Sequence, residues 1–317
     1  MVSRITVPLP GEGGGDVPHA AFEARGAADG PRVALVAGVH GCEYSSIAAV
    51  TRFMAGLDAA ALAGSLLAVP VVNLSAFRAR SPFVTPADGK NLNRCFPGDP
   101  GGTFSDVLAH AIFTRVFSGA DAVVDLHGGD LVEALEPFAV YAEAEAGVEE
   151  RSRAMAEAFG LPYVVREPRA GGGLAGMTCV AAAEAGIPAI IAEAGGCGLL
   201  EEEAVATLAD GVGNVLRLLG LLRGEVAAPA RPQRHVGGNV WLRCEHEGWW
   251  EPAVGAGAEV AEGAVLGRVR DLWGEELEEV RAPAAGVVLF LTTSPAVAAN
   301  GLLLGLGTEP GARPRAG

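Results

Sequence analysis

The stretch RVALVAGVHGCE (residues 32–43) changes period in its middle. Residues 32–38 form a short apolar run of β type that ends in a glycine. From about residue 43 the apolar positions recur at helical spacing, through Ile47, Val50, Phe53 and Met54. The same strand-then-helix alternation repeats downstream. Strands are predicted over residues 66–74 (LLAVPVVNL, despite Pro70), in the run AVVDLH that ends at His127, and over 137–142, 162–166 and 187–193 (IPAIIAE); helices are predicted at 104–118, 147–159 and 201–222. Near-continuous apolar strands alternating with helices indicate an α/β fold with a mixed, mostly parallel sheet flanked by helices. Ligands of such sheets sit beyond the carboxyl ends of the strands. His40, His127 and Glu193 all fall at or just after such ends. A long polar loop runs from Ser75 to about Thr103, and a connection of that length is usually functional or disordered.

After residue 225 the texture changes. EVAAPARPQR reads as a Pro/Ala/Arg linker, and residues 235–309 show short β-type runs punctuated by Gly and Pro. The expected organisation is a catalytic α/β domain over 1–225 and a small, barrel-like all-β domain over 226–317. The tail TEPGARPRAG is expected to be mobile. The Gly, Val and Ala-Pro spacing over 255–288 looks like that of lipoyl- or biotinyl-type barrels. Those carriers need a lysine at a hairpin tip, and the only lysine of the chain is Lys90, so this chemistry is excluded there. The β domain is therefore expected to flank or cover a site, or to meet another subunit.

Composition narrows the function classes. Half the chain is apolar, 19% is charged and mean hydropathy is +0.31, which argues against disorder. A formal net charge of −15 leaves no basic patch to neutralise phosphates, so a nucleic-acid partner is not expected. No run of eighteen apolar residues suggests a membrane helix, and the N-terminus lacks a secretory h-region. Five cysteines without a CxxC pair read as reduced thiols of a cytoplasmic protein. Homo-oligomerisation is compatible with the sequence, which does not fix the state.

Four short motifs carry chemistry. His40 and Glu43 lie three apart at a helix start, so an imidazole and a carboxylate can converge on one ion. Alone, such a pair reads better as a loop histidine and a helix-start glutamate. His127, in DLHGG, supplies a third donor of the His/His/carboxylate set that catalytic zinc uses while keeping a position for water. Asp125 is a candidate partner for that imidazole. In DGKNLNRCFPG (residues 88–98), Asn93 and Arg94 could clamp a carboxylate with an amide and a planar fork; the competing reading is a turn-rich surface loop. Arg78 and Arg80 lie upstream on the same loop. Glu193, in AEAGG, reads either as a solvated strand-end carboxylate or as a general base whose pKa a dry pocket would raise.

HGCE, NLNR after DGK, DLHGG and AEAGG stand in the order and approximate spacing of the succinylglutamate desuccinylase/aspartoacylase family, part of the wider zinc carboxypeptidase clan. The chain resembles that family well over about residues 30–225 and loosely in the β-rich tail. The resemblance implies one zinc ion per chain on His40, Glu43 and His127, a substrate carboxylate bound by Asn93 and Arg94, and Glu193 as general base and then acid. Arg80 is the match for an arginine that polarises the scissile carbonyl, with Arg78 as competitor because the stretch between Arg80 and Asn93 is longer than in better-known members. Asp88 and Lys90 would shape the loop. The implied reaction is hydrolysis of a small N-acyl (acetyl or succinyl) amino acid or related amine. The DGKNLNRCFPGDP stretch is closest to a bacterial branch acting on N-acetylated diamino acids. One departure stands out. Aspartoacylase-like enzymes bring a tyrosine from the C-terminal domain into the site, whereas no tyrosine follows Tyr163 here. Trp249 and Trp250 are the nearest aromatic candidates, but read better as core or interface residues. Two other functions fit the scaffold: a metallocarboxypeptidase acting on short peptides, which the compact interval between Glu43 and His127 disfavours, and a non-catalytic binding protein, which would have lost a ligand or base.

Overall fold

The computed structural model describes residues 1–168 and 175–309; most of the tail expected to be mobile lies outside them. In chain order the elements are β1 (Val2–Pro10), β2 (Asp16–Arg25), β3 (Ala28–Ala37), α1 (Tyr44–Gly56), β4 (Ala63–Val69), α2 (Leu74–Ala79), α3 (Phe104–Ile112), β5 (Ala122–His127), β6 (Glu133–Leu135), β7 (Phe138–Ala142), α4 (Ala146–Phe159), β8 (Tyr163–Glu167), α5 (Thr178–Glu184), β9 (Ala189–Glu193), α6 (Glu202–Leu218) and β10 (Arg234–Val236). Nine strands form one sheet in the order β1-β2-β4-β3-β5-β9-β7-β8-β10. The central strands β4, β3, β5 and β9 run parallel, β7 turns antiparallel to β9, and the β1–β2 hairpin closes one edge antiparallel. The fold is the mixed α/β sheet that the alternation of strands and helices predicts. The N-terminal hairpin and α5 are additions, and Leu74–Ala79 breaks the long loop with a short helix.

Period-2 alternation divides the sheet into two cores. Val33, Leu35, Val124, Leu126, Ile190 and Ala192 point to one face and are covered by α1, α4 and α6. Ala34, Val36, Val123 and Ile191 point to the other, which α3 and α5 share with the C-terminal strands. On β5 this alternation puts Asp125 and His127 on the second face, and on β9 it puts Glu193 there. All six residues of β5 are buried, so its two polar residues are carried into the core by their apolar neighbours.

The C-terminal strands β11 (Gly238–Arg243), β12 (Gly248–Pro252), β13 (Glu259–Val260), β14 (Val265–Arg270), β15 (Glu276–Arg281), β16 (Gly286–Thr292), β17 (Ala296–Val297) and β18 (Leu302–Thr308) form two further sheets around a core of Trp250, Leu266, Leu303 and Leu306. Two strands tie them to the large sheet. β10 lies beyond the expected 225/226 boundary yet pairs parallel with β8, while β6 leaves the α/β portion to pair with β16. Val287, Leu289 and Phe290 of β16 belong to the second-face core. The linker is thus followed by one more strand of the large sheet before the β-rich portion begins at β11.

Gly41 packs against the backbone of Ala76 and Phe77 in α2, and a Cβ there would overlap both. Gly41→Ala is therefore expected to lower the urea midpoint by an amount equivalent to about 1–3 kcal/mol, the usual cost of overpacking a fixed backbone contact. Displacement of the turn that carries His40 should accompany it, because His40 is the adjacent residue.

Candidate metal centre and active site

His40 and Glu43 come from the β3–α1 turn. Glu43 takes the N-cap position of α1 but makes no capping hydrogen bond. Its carboxylate instead lies against two imidazoles, with Oε1 2.7 Å from His40 Nδ1 and Oε2 3.0 Å from His127 Nδ1. His127 arrives from the end of β5. The three side chains are buried, and one donor atom from each lies within 4.8 Å of the others. Each imidazole is held from its far side: His40 Nε2 contacts Asn91 Oδ1 at 3.0 Å, and His127 Nε2 contacts Asp125 Oδ2 at 2.9 Å. Asp125 Oδ2 also accepts a 2.6 Å hydrogen bond from Thr178 Oγ1 at the start of α5. Oriented histidines of this kind leave their inner nitrogens free to ligate. The glycines that follow His127 have a steric reason, since a Cβ on Gly128 would meet the carbonyl oxygen of Ala194 beyond β9.

The donor set fits a divalent cation. Glu43 Oε2 is buried and has no hydrogen-bond partner despite its 3.0 Å approach to His127. That geometry suits two ligands of one ion better than a donor and an acceptor. Charge agrees. Burial alone would drive protons off His127, but the carboxylates of Asp125 and Glu43 outweigh it and raise the imidazole well above its usual range. Burial pushes Glu43 up, and His127 and His40 nevertheless hold it at about 2. The centre demands positive charge between its carboxylates.

Glu193 stands beside this triad. It is register-paired with His127 across β5 and β9, and its carboxyl is raised well above the ordinary range, first by burial and then by Glu43 and Glu133 against the opposing pull of His127. A cavity of about 480 Å³ opens over the site, within the size range of small-molecule pockets. His40, Glu43, Asn93, Arg94 and Glu193 all line it. Asn93 Oδ1 accepts from Thr178 N at 3.0 Å, so one residue both faces the cavity and tethers α5. Arg94 Nη1 donates to Asn93 O at 2.6 Å, and its guanidinium lies 5.4 Å over the Trp241 ring. The loop that carries them is anchored on α3: Asp88 accepts from Thr103 Oγ1 and from Ser105 N and Oγ, and Lys90 Nζ pairs with Asp106 at 2.6 Å.

Arg80 is not brought to this site. It occupies the left-handed C-cap position of α2 (φ 53°, ψ 47°), its side chain is exposed, and neither it nor Arg78 lines the cavity. The carbonyl-polarising role assigned to it has no geometric support. Trp250 is buried in the β-rich core and Trp249 is half-exposed outside the cavity; the aromatic that reaches the site is Trp241 on β11. Sequence reasoning also missed Asn91, Glu133 and Glu167. Glu133, on β6, has its carboxyl pushed to about 8 by burial, with Glu43 and Asp130 adding to the effect. Glu167 ends β8, where burial raises it to about 7 against the pull of Arg94. Only the last residue of an apolar strand, VVRE, could have flagged it. All five cysteines are unpaired, and among the described residues no helix is long and apolar enough to cross a membrane.

A catalytic-domain model for succinylglutamate desuccinylase/aspartoacylase matches residues 29–219. The chain is 34% identical to the N-alpha-acetyl-L-2,4-diaminobutyric acid deacetylase of Halomonas elongata, over 82% of this chain and 77% of that protein. Among solved structures it superposes on the product-bound ectoine utilization protein EutE of Ruegeria pomeroyi with a TM-score of 0.85 and 29% identity, covering 97% and 95% of the two chains. A succinylglutamate desuccinylase from Silicibacter sp. gives a TM-score of 0.83 and 29% identity, covering 96% and 95%.

Removing the Asp125 carboxylate should loosen the imidazole it orients. Asp125→Asn is expected to weaken metal affinity about 10–100-fold, measured by competition with a chromophoric chelator. An unchanged affinity would mean that Asp125 is only a structural partner of Thr178.

Proposed function

The chain belongs to the succinylglutamate desuccinylase/aspartoacylase family, and from that premise we propose that it is a zinc-dependent deacylase, hydrolysing the amide bond of a small N-acyl amino acid, with zinc held by His40, Glu43 and His127. The observation that carries this reading is the convergence of two imidazoles and a carboxylate beside Glu193, at the floor of a cavity of small-molecule size.

A bound zinc ion supplies Lewis-acid activation of water and of the acyl carbonyl. The chain's own groups do the rest. Glu193 removes a proton from the attacking water and returns it to the leaving nitrogen as the C–N bond breaks. A carboxyl raised by burial suits both halves of that task, because it holds a proton near neutral pH more readily than a solvated one. Arg94 and the amide of Asn93 bind the substrate carboxylate, which fixes the acyl-amide bond over the triad. Packing against Trp241 and the hydrogen bond to Asn93 O hold the guanidinium in place before substrate arrives. The products are a short carboxylic acid and a free amino acid. The β-rich portion supports a small substrate over a peptide, since Trp241, Phe290 and Leu302 wall the cavity.

Chelation should abolish acetate or succinate release from N-acyl amino acids, and added zinc should restore it. Glu193→Gln is expected to lower kcat by about 10²–10⁴-fold while metal content stays at one per chain. Full turnover in that variant would remove Glu193 from the mechanism. Arg94→Ala should act mainly through KM, raising it by about 10–100-fold, as befits loss of a charge-assisted contact; an unchanged KM would dismiss the clamp.

A further inference from the structure

Among the described residues, two ionisable groups of opposite sign in the cavity wall have no ionic partner. Arg94 is half-buried, and burial lowers its pKa, yet among the described residues no carboxylate forms an ion pair with it; its contacts are the Asn93 carbonyl and the Trp241 ring. Glu167 is 5% exposed and lines the same cavity, and no described residue donates a hydrogen bond to its carboxylate. Each influences the other's titration, but no ion pair joins them. A buried charge left unpaired is costly. Two such charges of opposite sign, facing one cavity and separated, are satisfied together by a ligand that carries both complements.

We propose that Glu167 is a specificity residue that binds an ammonium group of the substrate while Arg94 binds its carboxylate, so that the cavity selects N-acylated diamino acids over N-acyl dicarboxylic or neutral amino acids. This rests on the deacylase reading and deepens it. Glu193 is committed to proton transfer and Glu43 to the metal. Glu133 already feels the charges of Glu43 and Asp130, which raise it beyond the effect of burial. Glu167 is the carboxylate left for the substrate. A second carboxylate on the substrate would meet this acid without compensation, which disfavours succinylglutamate- or acetylaspartate-like molecules.

Three substrates of equal side-chain length isolate the terminal charge: Nα-acetyl-2,4-diaminobutyrate, N-acetylnorvaline and N-acetylglutamate, ending in ammonium, methyl and carboxylate. With zinc-loaded full-length protein, kcat/KM is expected to fall about 10–100-fold from the first to the second, and further to the third. The Nγ-acetyl isomer carries the same two charges and shows whether the ammonium is read on the side chain or on the α-carbon. Glu167→Gln should collapse the ammonium-to-methyl ratio towards one. A merely structural role would lower both substrates together and leave the ratio unchanged. Calorimetry with free 2,4-diaminobutyrate and norvaline reads the same preference without turnover. Turnover of all three substrates at similar kcat/KM overturns the proposal and spares the deacylase reading. A calorimetric preference without any turnover does the reverse.

Discussion

Burying carboxylates is the constraint around which this protein is organised. Glu43, Asp125 and Asp130 are nearly inaccessible, with Glu193 and Glu133 beside them, and two imidazoles are all that stand between. Such an arrangement is tolerable only if positive charge sits at its centre and if hydrogen bonds hold the outer faces. The second condition is visible: Asn91, Thr178, Phe83 N and Leu131 N each contact a member of the cluster. The first is what a divalent ion provides. The apolar strands supply the force that keeps these groups out of water, since β5 buries four aliphatic residues for the two polar ones it delivers.

The same logic extends outward from the triad. Each further charge that lines the cavity is positioned by an element whose main business is packing. Arg94 rides a loop pinned to α3 through Asp88 and Lys90, and Glu167 closes a strand whose Tyr163 and Val165 belong to the core. The site therefore has little freedom to adjust its charges.

The sequence disclosed the parts that depend on period and local order. Strand and helix alternation placed His40, His127 and Glu193 at the ends of neighbouring strands, and the His-x-x-Glu spacing put two ligands at one turn. The asparagine–arginine pair was legible because its residue types have few other uses side by side. What stayed hidden depended on contacts between distant segments. Glu167 reads as an ordinary strand end until β11 packs against β8 and encloses one cavity with it. Trp241 has no local mark that separates it from Trp249 or Trp250, which end in solvent and in the β-rich core. Arg80 was matched through the family resemblance, but the left-handed turn that ends α2 leaves it in solvent. The expected boundary at residue 225 marked a real change of composition, though the large sheet takes one more strand beyond it.

The pairing of β6 with β16 joins Leu135 to Phe290, residues separated by about half the chain. Consider the protein as it is synthesised. The triad is complete in sequence once His127 has emerged, and Glu193 follows, ahead of every strand of the β-rich portion. The cavity then lacks Trp241, Phe290 and Leu302, and β6 lacks its neighbour. Contacts between segments so far apart form late and slowly. The walls that narrow the cavity are thus the last part of it to emerge, after Arg94, Glu167 and Glu193.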